Sequence, residues 1–250
     1  SGGAFHSPQL LQLSGIGRSE RIQPYGIKMV HELPGVGQNL QDHLDLIMAY
    51  KSSNTDTFGF SAAGSLKMLR HILQWRRNGT GMIASPFAEG AAFLKTDPAL
   101  EKPDLQLHFV ISIVEDHARR LHWGHGFSCH VCALNPHSRG EVFLKSADPL
   151  AAPGIDPKFL DDQRDLDTMI KGARMTREIL KAPALAPYRH KELFGVGDDM
   201  SDADWEQQIR ARGDTIYHPV GTCRMGPAGD PMAVVDPELK VQGMQGLRVV

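Results

Sequence analysis

Twelve of the 250 residues are histidine, and six of them fall within 30 residues: His108, His117, His122, His125, His130 and His137. Glu115, Asp116, Cys129 and Cys132 share the stretch. Imidazole, thiolate and carboxylate are metal ligands, and three or four converging at about 2.0–2.3 Å make a site. The spacings here match no ligand signature. If Cys129-His130-Val131-Cys132 is a strand, its two thiols point to opposite faces, unlike a redox C-x-x-C at a helix N-terminus. Two readings follow. One is a stand-alone metal- or ligand-binding module built on these histidines; the other is sheet and loop histidines, some bordering a substrate entrance, with no metal site.

A second candidate lies at the start. Gly3-Ala4-Phe5-His6-Ser7-Pro8-Gln9-Leu10-Leu11-Gln12-Leu13-Ser14-Gly15-Ile16-Gly17 reads as a glycine-rich turn leading into a helix. Such a helix N-terminus presents unpaired N–H groups to an anion, although an ordinary capped helix has the same pattern. Two acidic runs, Asp161 to Asp167 and Asp198 to Asp202, read as solvated helix N-termini, and neither has the spacing of a Ca²⁺ loop.

The elements that must position these residues change character along the chain. Ser7-Pro8 reads as an N-cap and first-turn proline opening a helix over 9–13. A short helix over 18–25, a strand over 28–33 and a tight loop at Pro34 to Asn39 come next. Residues 61–77 read as a helix, with Leu66, Leu69, Ile72, Leu73 and Trp75 near a 3.6-residue period. Strands are expected over 88–94, 105–114, 127–134 and 140–144, with Leu105, Leu107, Phe109, Ile111 and Ile113 on one parity. Helices over 161–181 and 201–212 follow, the second capped by Ser201 with Asp204 at N3. Strands joined by loops rather than crossover helices favour an antiparallel sheet, so the fold class is α+β: an antiparallel sheet flanked by helices, with partial α/β pieces at both ends.

Composition narrows the function. The 27 Lys and Arg against 29 Asp and Glu leave a formal charge of −2, without the basic stripe of a nucleic-acid partner. No run approaches the ~20 apolar residues of a membrane span, so a membrane partner is at most peripheral. Three Cys cannot close a disulfide framework, which points to a reducing, cytoplasmic setting. Ser1-Gly2-Gly3 lacks a starting Met, and Gly246-Leu247-Arg248-Val249-Val250 stops while still apolar. The chain reads as a piece of a longer protein.

Five segments carry a resemblance. Every defined position of 3–17 matches the second signature of the glucose–methanol–choline (GMC) flavoprotein oxidoreductases. Leu33-Pro34-Gly35-Val36-Gly37-Gln38-Asn39-Leu40-Gln41-Asp42-His43 is similar to the family segment crossing from flavin domain to substrate domain. Pro136-His137-Ser138-Arg139-Gly140-Glu141-Val142 and Ile155-Asp156-Pro157-Lys158-Phe159-Leu160 resemble its "P-x-S-R-G-x-V" and "I-D-P-x-F-L" stretches. Tyr217-His218-Pro219-Val220-Gly221-Thr222-Cys223-Arg224-Met225-Gly226 resembles its active-site segment. All lie in family order.

The resemblance implies an FAD-dependent alcohol dehydrogenase of the choline or aliphatic-alcohol branch, oxidising a primary alcohol to the aldehyde. It implies that His218 is the catalytic base, taking the hydroxyl proton while the flavin takes the hydride. Cofactor contacts are expected from Ser7, Pro8, Asn39 and Tyr217, and substrate-lining positions from Phe109, Ile111 and Phe127. Glu89 and Glu115 are the acidic candidates for holding a cationic substrate. Domains are expected at 1–43 (flavin side), 44–214 (substrate-binding) and 215–250 (flavin side, with His218). The electron acceptor is a quinone or similar, in the cytoplasm or at the inner-membrane surface. The G-x-G-x-x-G turn for the pyrophosphate does not occur in these 250 residues, and a second active-site residue follows the stretch matching Gly246–Val250. The chain alone is therefore expected not to retain FAD or turn over.

Overall fold

The computed structural model describes residues 2–116, 119–195 and 197–250; the expectation for His117 lies outside them. In chain order the elements are α1 (Gly3–Leu13), β1 (Ile16–Gly17), α2 (Ser19–Ile22), β2 (His31–Glu32), β3 (Gln38–Leu40), β4 (Leu44–Ser52), β5 (Gly59–Phe60), α3 (Ala62–Asn78), β6 (Ala88–Leu94), β7 (Leu105–Val110), β8 (Gly124–Ala133), β9 (Gly140–Phe143), β10 (Gly154–Asp156), α4 (Gln163–Leu180), β11 (Lys191–Glu192), α5 (Asp202–Arg212) and β12 (Asp214–Thr215). They fall into two compact units. One is Ser1–His43, Pro136–Asp165 and Tyr217–Val250; the other is Leu44–Asn135 and Leu166–Ile216. Residues 136–165 thus pack in the first unit, although the sequence leaves them inside 44–214. The reason is long-range pairing: β9 hydrogen-bonds to β3, about a hundred residues earlier, in the sheet β10-β9-β3.

In the first unit, α1 starts four residues before the expected cap. Ser7 is not an N-cap; its Oγ accepts a hydrogen bond from the Gly2 amide, at 2.9 Å. Pro8 lies inside the helix and cannot donate to the Ala4 carbonyl. The buried Thr222 hydroxyl donates to that carbonyl instead, at 2.6 Å, so the defect becomes an attachment point. The Gln12 amide is buried and donates to the Val142 carbonyl at 3.0 Å. Leu11, Ile16, Leu33, Val36, Val234, Val235 and Val241 form the apolar core. The strand expected over 28–33 contracts to His31–Glu32, parallel to β1.

The second unit is built on an antiparallel sheet, β11-β4-β8-β7-β6, with β12 on β4 and β5 on β8. β4 was not expected, although Leu44, Leu46, Met48 and Tyr50 alternate and are buried. With Leu105, Leu107, Phe127, Cys129 and Val131 they form the face covered by α4. A Cβ on Gly172 of α4 would lie 2.7 Å from Leu105, and on the same helix Leu166, Met169, Ala173, Thr176 and Leu180 are buried at the 3–4-residue spacing of one face. The α5 cap is as expected: the Ser201 hydroxyl accepts from the Asp204 amide, and the Asp204 carboxylate accepts from the Ser201 amide.

α3 forms over the expected residues, with Leu66, Leu69 and Leu73 61%, 54% and 56% exposed.

Candidate active site

The turn Tyr217-His218-Pro219 approaches the end of the Leu33–His43 segment through an antiparallel bridge between Gln41 and Val220. The Gly37 amide donates to the Thr222 carbonyl at 2.9 Å, and the Asn39 side-chain amide donates to the Gly221 carbonyl at 3.2 Å. Gly221 must be glycine here: φ is +97°, and a Cβ would overlap the Asn39 carbonyl oxygen. Through Thr222 the same segment is tied to α1, so three segments distant in sequence converge on one place.

Asp42 organises that place. Its carboxylate is buried and accepts from the His43 amide at 2.8 Å and from the His218 amide at 2.9 Å. The backbones of both histidines are thereby held by one carboxylate. Their Nδ1 atoms lie 3.0 Å apart, and the rings meet edge to face with centroids 5.1 Å apart. A hydrogen bond between two Nδ1 atoms requires one to donate and the other to accept. If His218 Nδ1–H donates, the lone pair of neutral His218 lies on Nε2, and the opposite tautomer removes that acceptor.

The backbone around the pair is unusual. Asn39 and Tyr217 both occupy the left-handed region, at φ 64° and 66°. Asn tolerates this conformation, whereas a bulky aromatic there is a strained outlier of the kind found at functional sites. The Tyr217 ring is 64% exposed. Burial pushes the neighbouring Cys223 thiol up to about 12, which leaves it protonated and unreactive at neutral pH.

Of the expected cofactor contacts, the structure uses Ser7, Pro8 and the Asn39 amide within the unit itself. Tyr217 presents its side chain outward. The first turn of α1 has no side-chain cap and no acidic residue, and nothing lies within 4 Å of a Cβ built on Gly3. Uncapped N–H groups beside open space suit a polar or anionic portion of a flavin, and an exposed tyrosine beside a histidine suits its ring. The residues present fit the group.

Of the expected substrate-lining set, Phe109 and Phe127 are brought together and Ile111 is not. Phe127 is 1% exposed and stacks between Tyr50 and Phe109, at 5.5 and 5.3 Å, on the face under α4. A ring so packed belongs to the core, and Phe109 shares that face. Ile111 lies beyond the end of β7, its carbonyl accepting from the Phe58 amide. The period-2 alternation was read correctly, but the sequence does not say which face the helices cover.

The histidine stretch is dispersed as well. His125 donates from Nδ1 to the Thr57 carbonyl and accepts at Nε2 from the Ser61 hydroxyl, both at 2.8 Å, which fixes the start of α3. His122 pairs with Glu115 at 2.5 Å, and His130 Nδ1 with Asp45 at 2.6 Å. Among the described residues no group of three or more His, Cys, Asp or Glu is placed to hold a metal. Sequence reasoning named His218 but not its partners Asp42 and His43, which lie 176 and 175 residues away. Their signal is the Gln41-Asp42-His43 end of the second matching segment; no local pattern carries the pairing.

One unit is a helix-flanked antiparallel sheet, and the other carries His218 and His43 braced by Asp42 beside a strained tyrosine. Comparison with known proteins agrees with the resemblance: GMC oxidoreductase family models match residues 1–45 and 136–250. The chain belongs to the GMC oxidoreductase family. It is 42% identical over 252 residues to an alcohol dehydrogenase [acceptor] of Pseudomonas putida, covering 99% of this chain and 45% of that protein. It is 40% identical over 250 residues to the mitochondrial choline dehydrogenase of Homo sapiens, covering 100% of this chain and 42% of that protein. A solved structure of formate oxidase superposes with a TM-score of 0.85 at 26% identity, over 99% of this chain and 48% of that one. The chain therefore spans somewhat less than half the length of the curated relatives it matches. Among the described residues no helix is long and apolar enough to cross a membrane.

Proposed function

We propose that the protein containing this chain oxidises a primary alcohol, an aliphatic alcohol or choline, to the aldehyde, with His218 as general base. The observation that carries this reading is the His43–His218 pair on Asp42. The carboxylate fixes both backbones, and the Nδ1–Nδ1 contact fixes the ring of His218. With His218 donating from Nδ1, its Nε2 takes the hydroxyl proton and the charge that forms is shared with the neutral His43 ring. His43 is a positioning residue in this scheme, and Asp42 positions both. FAD, when bound, supplies the hydride acceptor that no side chain can provide. Tyr217 and the first turn of α1, both in the first unit, would hold it, and the second unit would bind the substrate. Electrons leave to a quinone or similar acceptor, in keeping with the "[acceptor]" in the name of the Pseudomonas putida relative.

The test is anaerobic flavin reduction by alcohol in the full-length protein, comparing wild type with His218→Ala. Loss of a general base slows reduction by about 10²–10⁴-fold. An unchanged rate would overturn the assignment.

A further inference from the structure

In α1 the Ala4 carbonyl faces Pro8, which has no N–H to give, so the helix itself supplies no partner. A carbonyl left unpaired beside the buried Pro8 and Gln9 would be costly. The Thr222 hydroxyl takes the place of the missing amide, at 2.6 Å. Thr222 is 2% exposed, and its single hydroxyl proton is spent on this bond. A threonine 218 residues away in sequence thus completes the hydrogen bonding of the first helix.

Thr222 is in turn tied to the residues before it. Its carbonyl accepts from the Gly37 amide at 2.9 Å. Gly221 is held at φ +97° against the Asn39 carbonyl, and its own carbonyl accepts from the Asn39 side chain at 3.2 Å. Val220 exchanges both main-chain hydrogen bonds with Gln41, at 2.8 and 2.9 Å. Asp42, next in the chain, holds the His43 and His218 amides. From Ala4 to His218 every step is a hydrogen bond or a covalent link, and all of it lies within the first unit. Ala4 belongs to the first turn of α1, where the proposed reading places a polar part of the flavin. A displacement of that turn is therefore delivered to the backbone of His218, and a displacement of His218 to the turn.

We propose that Thr222 is a positioning residue that couples the flavin-holding turn of α1 to the His43–His218 pair, so that bound FAD and the pair each stabilise the other's geometry. This coupling rests on the alcohol-oxidation reading and extends it to a residue that touches neither reacting group. Pro8 has a part in it: with any other residue at that position the helix would satisfy Ala4 by itself, and the hydroxyl would lose its exclusive claim on the carbonyl.

The experiment uses the full-length protein, with FAD titration followed by flavin fluorescence and anaerobic reduction by alcohol followed across pH. Thr222→Val keeps the shape and removes the donor. It should weaken FAD binding about fivefold, the lower end of the cost of an unpaired buried carbonyl, and move the pH midpoint of reduction. Thr222→Ser keeps the donor and should restore both. Combining Pro8→Ala with Thr222→Val separates coupling from folding, and carries the test should Thr222→Val alone fail to fold. The new amide at position 8 pairs with Ala4, so the parent melting curve should return while FAD affinity and pH midpoint stay altered. A double-mutant cycle of Thr222→Val with Asp42→Asn, read as FAD affinity, should be non-additive. Parent-like affinity and midpoint in Thr222→Val, full rescue of both by Pro8→Ala, or an additive cycle overturns the coupling and leaves the alcohol reading standing. If His218→Ala reduces flavin as fast as the parent, that reading fails and the coupling with it.

Discussion

Replacing Asp42 by alanine tests the construction of the site without any cofactor. The carboxylate is buried and accepts two main-chain hydrogen bonds, from His43 at 2.8 Å and His218 at 2.9 Å. Bonds to a charged acceptor contribute roughly 1.5–3 kcal/mol each, and Asp42→Ala leaves both donors without it. The expected loss is therefore about 3–6 kcal/mol, read by guanidinium unfolding of the unit containing it. Asp42→Asn keeps an oxygen at the same place and loses only the charge, so about half that loss is expected. NMR supplies a local readout. The His43 and His218 amide protons should resonate downfield in the parent chain, and both should move upfield together in the alanine variant. If Asp42→Ala unfolds within about 0.5 kcal/mol of the parent, or if only one amide responds, the shared-carboxylate reasoning is wrong.

Three further expectations follow from particular contacts. Gly37→Ala forces a side chain at φ +78° into the Val142 carbonyl oxygen and to 2.5 Å from Gln12 Nε2. Left-handed strain of about 1–2 kcal/mol plus a displaced buried hydrogen bond should destabilise the first unit by about 3 kcal/mol in denaturant unfolding. Hydrogen bonds from Lys181 and Arg177 hold the Asp198 carboxyl down at about 2, below its ordinary 3.8. Its contribution is complete above the ordinary value and is lost as pH falls through about 2, so Lys181→Ala should move the NMR titration midpoint of Asp198 upward. Burial pushes the Cys129 and Cys223 thiols up to about 12, first by desolvation and for Cys129 also by Asp45. Neither should be alkylated by iodoacetamide at pH 8 in the folded chain, and both should react once it is unfolded.

Local chemistry in the sequence sufficed for much of this. Glycine turns, the Ser201–Asp204 cap, the alternation of β7 and the helical period of α3 depend on neighbours a few residues apart, and such signals survive in a linear string. His218 and the family also came from contiguous motifs. Tertiary structure decided the rest. Pro8 reads as a helix start until Thr222 is seen to satisfy the carbonyl it leaves unpaired. Phe127 reads as a substrate wall until α4 is seen to cover its face, and the leucine period of α3 does not say that Leu66, Leu69 and Leu73 are exposed. Asp42 and His43 meet His218 only because the Gln41–Val220 bridge folds one segment onto another about 175 residues away. Periodicity fixes which side chains share a face, but what that face meets depends on contacts between residues far apart in the chain, and those only packing can decide.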